Sequence, residues 1–184
     1  MKSLTWNQVN AWRLAQHGLA SKVKREDFIK MTSRLFGIHA QVMSAAELGL
    51  GGVRVDGLMP GDVQAALWEE RTLVKTWAMR GTLHLLTADD LPLHAAARSI
   101  DPRGWIDFEA HGISPKQAGA FFEAVPEILG SEPMTREQLA SAVAEQVGLP
   151  VLGELIAKSK WGSPLKTFAF RGELCFGPNE GQKV

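Results

Sequence analysis

The sequence is poor in several features that would define a protein class. Its single cysteine, Cys175, cannot pair within the chain, so a disulfide scaffold is excluded and a reducing compartment, the cytoplasm, is predicted. No apolar run approaches the roughly 20 residues that cross a bilayer, and the N-terminus lacks the apolar core of a signal peptide, so no membrane partner is predicted. The 20 Lys and Arg residues are balanced by 20 Asp and Glu residues, and this zero net charge argues mildly against binding to phosphate backbones.

The chain does have the composition of a folded globular protein, with its charge unevenly placed. Its 184 residues suit one large domain or two small ones, and its 45% apolar and 22% charged residues exclude disorder. Residues 22–34 hold five Lys and Arg against two acids, and residues 158–171 hold four with no acid. Each run is either a solvated face or a surface for an anionic partner.

An internal repeat is the most informative feature of the sequence. Residues 75–83 (KTWAMRGTL) recur as residues 166–174 (KTFAFRGEL), with six of nine positions identical and a shift of 91 residues. A shift of this length suits a duplicated small domain. In each copy apolar and polar residues alternate around an Arg-Gly pair, which is typical of a β-hairpin with a two-residue turn. Hairpins are therefore predicted around Arg80-Gly81 and across residues 165–176.

Helical patterns precede each predicted hairpin. In the second half, start signals at Pro115 and Thr135 open two helices, and a third is predicted from about Val151. Helices followed by a hairpin are the element order of a winged helix-turn-helix. The predicted fold is α+β and mainly helical, with tandem winged helix-turn-helix units that each end in a β-hairpin wing. The first unit, with a bridging helix predicted over roughly residues 88–98, spans residues 1–100, and the second spans residues 101–184.

The end of the chain looks like an interrupted strand. Gln182, Lys183 and Val184 begin a strand-like pattern that stops after three residues. The second unit is therefore expected to be truncated at its C-terminus.

Several segments resemble a winged-helix DNA-binding family, the one that includes the AlkZ-like and YcaQ-like bacterial DNA glycosylases. The resemblance covers nearly the whole chain and rests on residues 4–9 (LTWNQV), 11–14 (AWRL), 39–42 (HAQV), 45–48 (AAEL), 73–84 (LVKTWAMRGTLH), 135–140 (TREQLA) and 170–178 (FRGELCFGP). It implies tandem winged helices in chains usually about twice this length. It also implies excision of N7-alkylated purines from double-stranded DNA during DNA repair, with no cofactor.

The same resemblance implies a catalytic pair. The glycosylases of the family carry a Gln-apolar-Gln or Gln-apolar-Asp signature, and the matching residues here are His39, Ala40 and Gln41, with histidine in place of the first glutamine. An N7-alkylated guanine is already cationic and leaves as a neutral base, so the reaction needs an oriented water and no general acid. Glutamine can orient water, and histidine can also accept its proton.

The local pattern supports a side-by-side placement of His39 and Gln41. Residues 38–43 lie between a helix stop and a helix cap, and they are predicted to be extended. Residues two apart in an extended segment point the same way, so Ile38, Ala40 and Val42 are expected to pack on the opposite face. Alternatively, the two polar side chains satisfy backbone groups of the loop, or each other.

Five basic residues are predicted to contact DNA. They lie in or beside the hairpin turns and the third helix of the second unit, where such folds usually meet a duplex: Arg80, Lys158, Lys160, Lys166 and Arg171. No metal site is predicted, since no cluster of His, Cys and Asp has metal-ligand spacing.

Two other functions remain open, and both lack catalysis. One is a winged-helix DNA-binding protein or transcriptional regulator, which the altered signature favours. The other is a pair of winged helices that contact only proteins, which zero net charge favours.

Overall fold

The computed structural model describes residues 3–99, 106–130 and 132–179, and within them the chain is mainly helical with one small antiparallel sheet. The helices are α1 (Trp6–Gln16), α2 (Phe28–Arg34), α3 (Met43–Glu47), α4 (Pro60–Trp68), α5 (Leu91–Ser99), α6 (Pro115–Leu129), α7 (Arg136–Val147), α8 (Pro150–Lys158) and α9 (Ser163–Phe170). The strands are β1 (Ile38–His39), β2 (Leu73–Ala78) and β3 (Thr82–Thr87). No helix in these residues is long and apolar enough to cross a membrane.

Residue contacts divide the chain into two compact units, Met1–Leu93 and His94–Val184. The division falls within α5, the helix that the sequence predicts as a bridge. The predicted boundary between residues 100 and 101 lies outside the described residues, and so does the strand-like pattern at residues 182–184.

The first unit contains the sheet, whose strands lie in the order β1, β3, β2. Strands β2 and β3 form the predicted hairpin, and their pairing ends with Ala78 opposite Thr82. The turn has three residues and not the predicted two, because Met79 joins Arg80 and Gly81 in it. Met79 and Gly81 both have left-handed backbone angles, with φ of 52° and 89°, and the Gly81 N–H donates to the Ala78 carbonyl at 2.9 Å.

Strand β1 lies close against β3 because Gly37 precedes it. Gly37 has φ of 104°, a conformation that favours glycine. A Cβ at this position would lie 2.5 Å from Cδ2 of Leu86 and 3.2 Å from the carbonyl oxygen of Leu85. The missing side chain therefore allows the short strand to pair with the hairpin.

A buried apolar cluster fills the space between the sheet and the helices of the first unit. Its members are Ala40, Ala46, Leu50, Val55, Leu58, Val63, Ala66, Leu67, Leu73 and Leu85. Ala40 belongs to this cluster although it immediately follows β1, so the core fixes the chain at the end of that strand.

The start of α4 is held by one carboxylate. Asp62 accepts a hydrogen bond from the Met59 N–H at 2.9 Å and is ion-paired with the Arg25 guanidinium. The backbone hydrogen bond from Met59 and the nearby Arg25 hold the pKa of Asp62 below its ordinary value, although burial opposes them. The negative charge also lies favourably near the positive end of the helix dipole.

We expect Asp62→Asn to lower the free energy of unfolding by about 1 kcal/mol at pH 7, because it removes the negative charge that pairs with Arg25 and lies at the start of the helix. Because the folded-state pKa is lowered, this stabilisation is present above the ordinary carboxyl pKa and disappears as the pH falls through the folded-state value. Urea denaturation should show a smaller gap between Asp62→Asn and the parent at pH 3 than at pH 7. Asp89→Asn, at an exposed position, is the matched control, and an equal loss in both variants would contradict the assignment.

The second unit is built from helices α6 to α9. The predicted start of α7 is confirmed, since the Thr135 hydroxyl accepts from the Gln138 N–H at 3.3 Å and the Gln138 amide oxygen accepts from the Thr135 N–H at 2.7 Å. Phenylalanines form much of its interior. Phe121 is fully buried and contacts Phe168 with ring centroids 5.3 Å apart.

The hairpin predicted across residues 165–176 is wrong, because residues 163–170 form α9. Its buried residues include Leu165, Phe168 and Ala169, which lie at the spacing of one helix face. In the first copy, by contrast, a third strand pairs with the hairpin. The repeated sequence thus begins in strand β2 in the first copy, where a sheet is available, and in helix α9 in the second copy, where an apolar face of the helix can be buried.

Candidate active site

The residues of the predicted catalytic pair lie at the end of β1. His39 is the last residue of the strand and is exposed, Ala40 is 0% exposed, and Gln41 is exposed. This alternation matches the prediction for these three residues. Burial of Ala40 in the core between them holds the two polar side chains on the solvent side of the chain.

The extended segment is shorter than predicted. Helix α3 begins at Met43, so the extended segment ends at Val42, which has φ of −117° and ψ of 114°. Val42 is 60% exposed and does not pack on the core, which corrects the prediction for that residue. Ile38 does pack against the core cluster.

The backbone of β3 anchors the segment around Gln41. The Ala40 N–H donates to the Leu83 carbonyl at 2.7 Å, and the Leu83 N–H donates to Oε1 of Gln41 at 3.4 Å. The alternative role, in which Gln41 satisfies a backbone group, is therefore part of the structure. This hydrogen bond leaves Oε1 of Gln41 able to bind water, because an amide oxygen has a second lone pair that can accept another hydrogen bond.

His39 contacts a second histidine that sequence reasoning left out of the site. His39 and His84 lie opposite each other in the pairing of β1 with β3, and their rings meet edge-to-face with centroids 5.5 Å apart and an interplanar angle of 82°. The two histidines are 45 positions apart in the chain, and only the pairing register of β1 and β3 brings them together. The useful signal was a short strand-like segment upstream of a hairpin, since small sheets often gain a third strand in this way.

The environment of His84 keeps its imidazole neutral at pH 7. Burial lowers the pKa of His84, the hydrogen bond with the Thr82 carbonyl opposes this shift, and the charge of His39 adds to the lowering. Nδ1 of His84 lies 2.9 Å from the Thr82 oxygen. A carbonyl only accepts, so Nδ1 carries the hydrogen and Nε2 carries none in the neutral ring.

Four of the five predicted DNA-contacting residues are exposed. Arg80 lies in the hairpin turn of the first unit, and Lys160 is an exposed residue after α8. Lys158 is ion-paired with Glu154 at 2.7 Å, and Arg171 lies 4.0 Å from the Glu173 carboxylate. Both glutamates lie just outside the basic run of residues 158–171. The positive charge of this run is therefore partly balanced.

Lys166 does not fit the predicted contact with phosphate. It lies in α9 and is 6% exposed, and burial lowers the pKa of its ammonium group. The prediction assumed a hairpin, in which alternate side chains reach solvent. The helix turns Lys166 inward instead.

The described residues give no reason to place a metal at this site. Among residues 3–99, 106–130 and 132–179, no group of three or more His, Cys, Asp and Glu side chains could hold a metal ion. The histidine pair and Gln41 offer hydrogen-bonding groups, and a neutral imidazole has a nitrogen that can accept a proton. Such groups can orient and deprotonate a water molecule.

Fold and site together define a class: a mainly helical α+β protein whose candidate site is a polar pair beside a three-stranded sheet. Comparison with known proteins gives the family. The family model described as "DNA glycosylase AlkZ-like" matches residues 32–184, and the chain belongs to this AlkZ-like DNA glycosylase family.

Two comparisons, both with glycosylases from Streptomyces sahachiroi, support the assignment. The chain is 36% identical over 186 aligned positions to an "Interstrand DNA cross-link repair glycosylase", covering 98% of this chain and 48% of the relative. It is similar to the solved structure of the DNA glycosylase AlkZ, with a TM-score of 0.83, 33% identity, and coverage of 100% of this chain and 49% of the other. The chain thus spans about half the length of the relatives it matches.

Proposed function

We propose that this chain is a DNA glycosylase, or the N-terminal part of one, that hydrolyses the N-glycosidic bond of N7-alkylated purines in double-stranded DNA. The observation that carries the proposal is the placement of His39 and Gln41. Both are exposed and they flank a fully buried Ala40. His39 contacts His84 and Gln41 accepts from the neighbouring Leu83 N–H, both on β3. Membership of the AlkZ-like family and the repair glycosylase among its relatives support this reading.

The reaction requires little from the protein beyond an oriented water. Gln41 accepts a hydrogen bond from the water through Oε1, and His39 accepts the proton that the water loses. The water oxygen bonds to C1′ of the sugar while the bond from C1′ to N9 of the base breaks. The bonding electrons enter the cationic purine ring, which leaves as a neutral N7-alkylpurine, and the DNA retains an abasic sugar. A positioned base and water account for much of such an acceleration.

The element order of the first unit fits the proposed fold of a winged helix. Helix α2, strand β1, helices α3 and α4, and the hairpin of β2 and β3 follow one another in the chain. In the second unit, helices α6, α7 and α8 follow one another as the three helices of a winged helix-turn-helix do. Helix α9 comes next in the chain, where a winged helix would have its hairpin. We propose the units as the two DNA-facing modules of the chain, in line with the predicted ranges 1–100 and 101–184.

We further propose that Arg80, Lys158, Lys160 and Arg171 contact DNA phosphates. All four are exposed, and they lie at a hairpin turn or near helix ends, where backbone contacts to a duplex are commonly made. Zero net charge means that attraction to DNA depends on where these residues lie and not on an overall positive excess.

Lysine substitutions test this interface. Lys158→Ala with Lys160→Ala should weaken binding to any duplex sequence, and the slope of log affinity against log salt should become shallower by about 1 for each phosphate that the protein no longer neutralises. Glu154→Gln should strengthen binding, because it releases Lys158 from its ion pair. Fluorescence anisotropy across a salt series measures both effects. Lys116→Ala, at an exposed lysine of α6, is the matched control, and unchanged affinity of the double variant at low salt would remove these lysines from the interface.

The activity itself is tested with the protein expressed from its complete reading frame. A duplex with one N7-methylguanine should release the free base and gain an abasic site that hot alkali cleaves. A non-catalytic regulator would bind the duplex and release nothing, and a protein-binding module would not bind it. A second duplex with an interstrand cross-link through N7 of guanine tests whether the substrate of the cross-link repair relative is shared.

A further inference from the structure

His84 occupies a position from which it can act on His39 without touching a substrate. It lies on β3 between its two cross-strand neighbours, His39 on β1 and Thr76 on β2. His84 is 9% exposed and Thr76 is 1% exposed, whereas His39 is exposed. The buried ring is therefore fixed by its surroundings and presents one side to an exposed ring.

The hydrogen bond of His84 sets the orientation of its ring. Nδ1 donates to the carbonyl of Thr82, two residues earlier in the same strand, at 2.9 Å. A ring held at both its Cβ and its Nδ1 cannot rotate freely about χ2. The edge-to-face contact with His39, with centroids 5.5 Å apart, is the kind that aromatic rings prefer.

We propose that His84 is a positioning residue for His39: its fixed ring holds the His39 imidazole in the orientation that receives a proton from the attacking water. This inference rests on the proposed function. An exposed histidine without such a contact samples several staggered rotamers, and only some of them aim a ring nitrogen at the water. The contact therefore supplies orientation before the substrate arrives.

Two substitutions separate the ring contact from the hydrogen bond. His84→Asn keeps an N–H donor near the position of Nδ1 and removes the ring, whereas His84→Phe keeps a planar ring and removes the donor. We expect His84→Asn to lower the single-turnover rate of excision about 10-fold with little change in duplex affinity, as expected for loss of a positioning group. His84→Phe keeps the ring contact but loses the hydrogen bond that fixes the ring, so its rate should lie between those of His84→Asn and the parent.

A double-mutant cycle distinguishes positioning from general destabilisation. If His84 acts through His39, adding His84→Asn to His39→Ala should not lower the rate per folded molecule further. A lower rate in both backgrounds would overturn the proposal. If His39→Ala alone leaves the rate unchanged, His39 has no catalytic role for His84 to support and the inference fails. If the parent protein releases no base, the proposed function fails, so the two failures are distinguishable.

Nuclear magnetic resonance gives a readout that needs no activity. In the parent protein we expect cross-relaxation between ring protons of His39 and His84, and a neutral His84 ring that carries its hydrogen on Nδ1. The chemical shifts of the His39 ring should move in His84→Asn and stay closer to the parental values in His84→Phe. Free rotation of the His39 ring in the parent protein would overturn the inference even if a variant failed to fold.

Discussion

Gln41→Ala is expected to lower base excision by at least about 10²-fold while duplex affinity stays nearly unchanged. The side chain is exposed, and within the described part of the chain its oxygen accepts a hydrogen bond of 3.4 Å from the Leu83 N–H, so its removal takes little from the fold. It takes away the group that orients the water, which contributes to the transition state and not to binding of intact DNA. Single-turnover release of N7-methylguanine, with anisotropy for affinity, measures the two effects separately.

Val42→Ala is the matched control for Gln41→Ala. Val42 is the next residue and is 60% exposed, so its truncation disturbs the same segment without removing a polar group. Its excision rate should equal that of the parent. A Gln41→Ala protein that folds, binds and excises at the parental rate would end the catalytic role of this segment and leave Gln41 as a backbone-capping residue.

Features of the fold that depend on neighbouring residues were predictable from the sequence. The hairpin of β2 and β3 follows from alternating apolar residues around Arg80-Gly81, and the start of α7 follows from Thr135 and Gln138, which bond to each other's backbone. The burial of Ala40 between two exposed polar residues follows from the period of an extended chain. In each case the signal and the structure lie within a few residues.

Features that depend on distant partners were not predictable in this way. Residues 166–170 have the alternating pattern of a strand but form part of α9, because Phe168 packs against Phe121 of α6 and not in a sheet. The same error placed Lys166 at the surface. His84 joined the site only through the register of β1 against β3, which no local pattern encodes.

His39→Ala is expected to lower excision by about 10²-fold, since it removes a side chain that positions the attacking water. His39→Gln restores the commoner first residue of the family signature and should keep or raise the activity. Histidine is ionisable and glutamine is not, so His39→Gln should also flatten any pH dependence of the rate. Excision rates of the three proteins over a pH series give the comparison.

The control for the His39 series is a set of unfolding measurements on the same proteins. His39 is exposed, and its described contact is the ring of His84, so either substitution should change the free energy of unfolding only slightly. If His39 serves only the local backbone, the substitutions will shift stability and leave the rate per folded molecule unchanged. A rate that falls in His39→Ala and recovers in His39→Gln at equal stability assigns the residue to the chemistry, because glutamine can orient a water but cannot remove its proton. Comparison of His39→Gln with the parent above pH 7 then isolates how much the proton-accepting role of the imidazole adds to the positioning that both side chains provide.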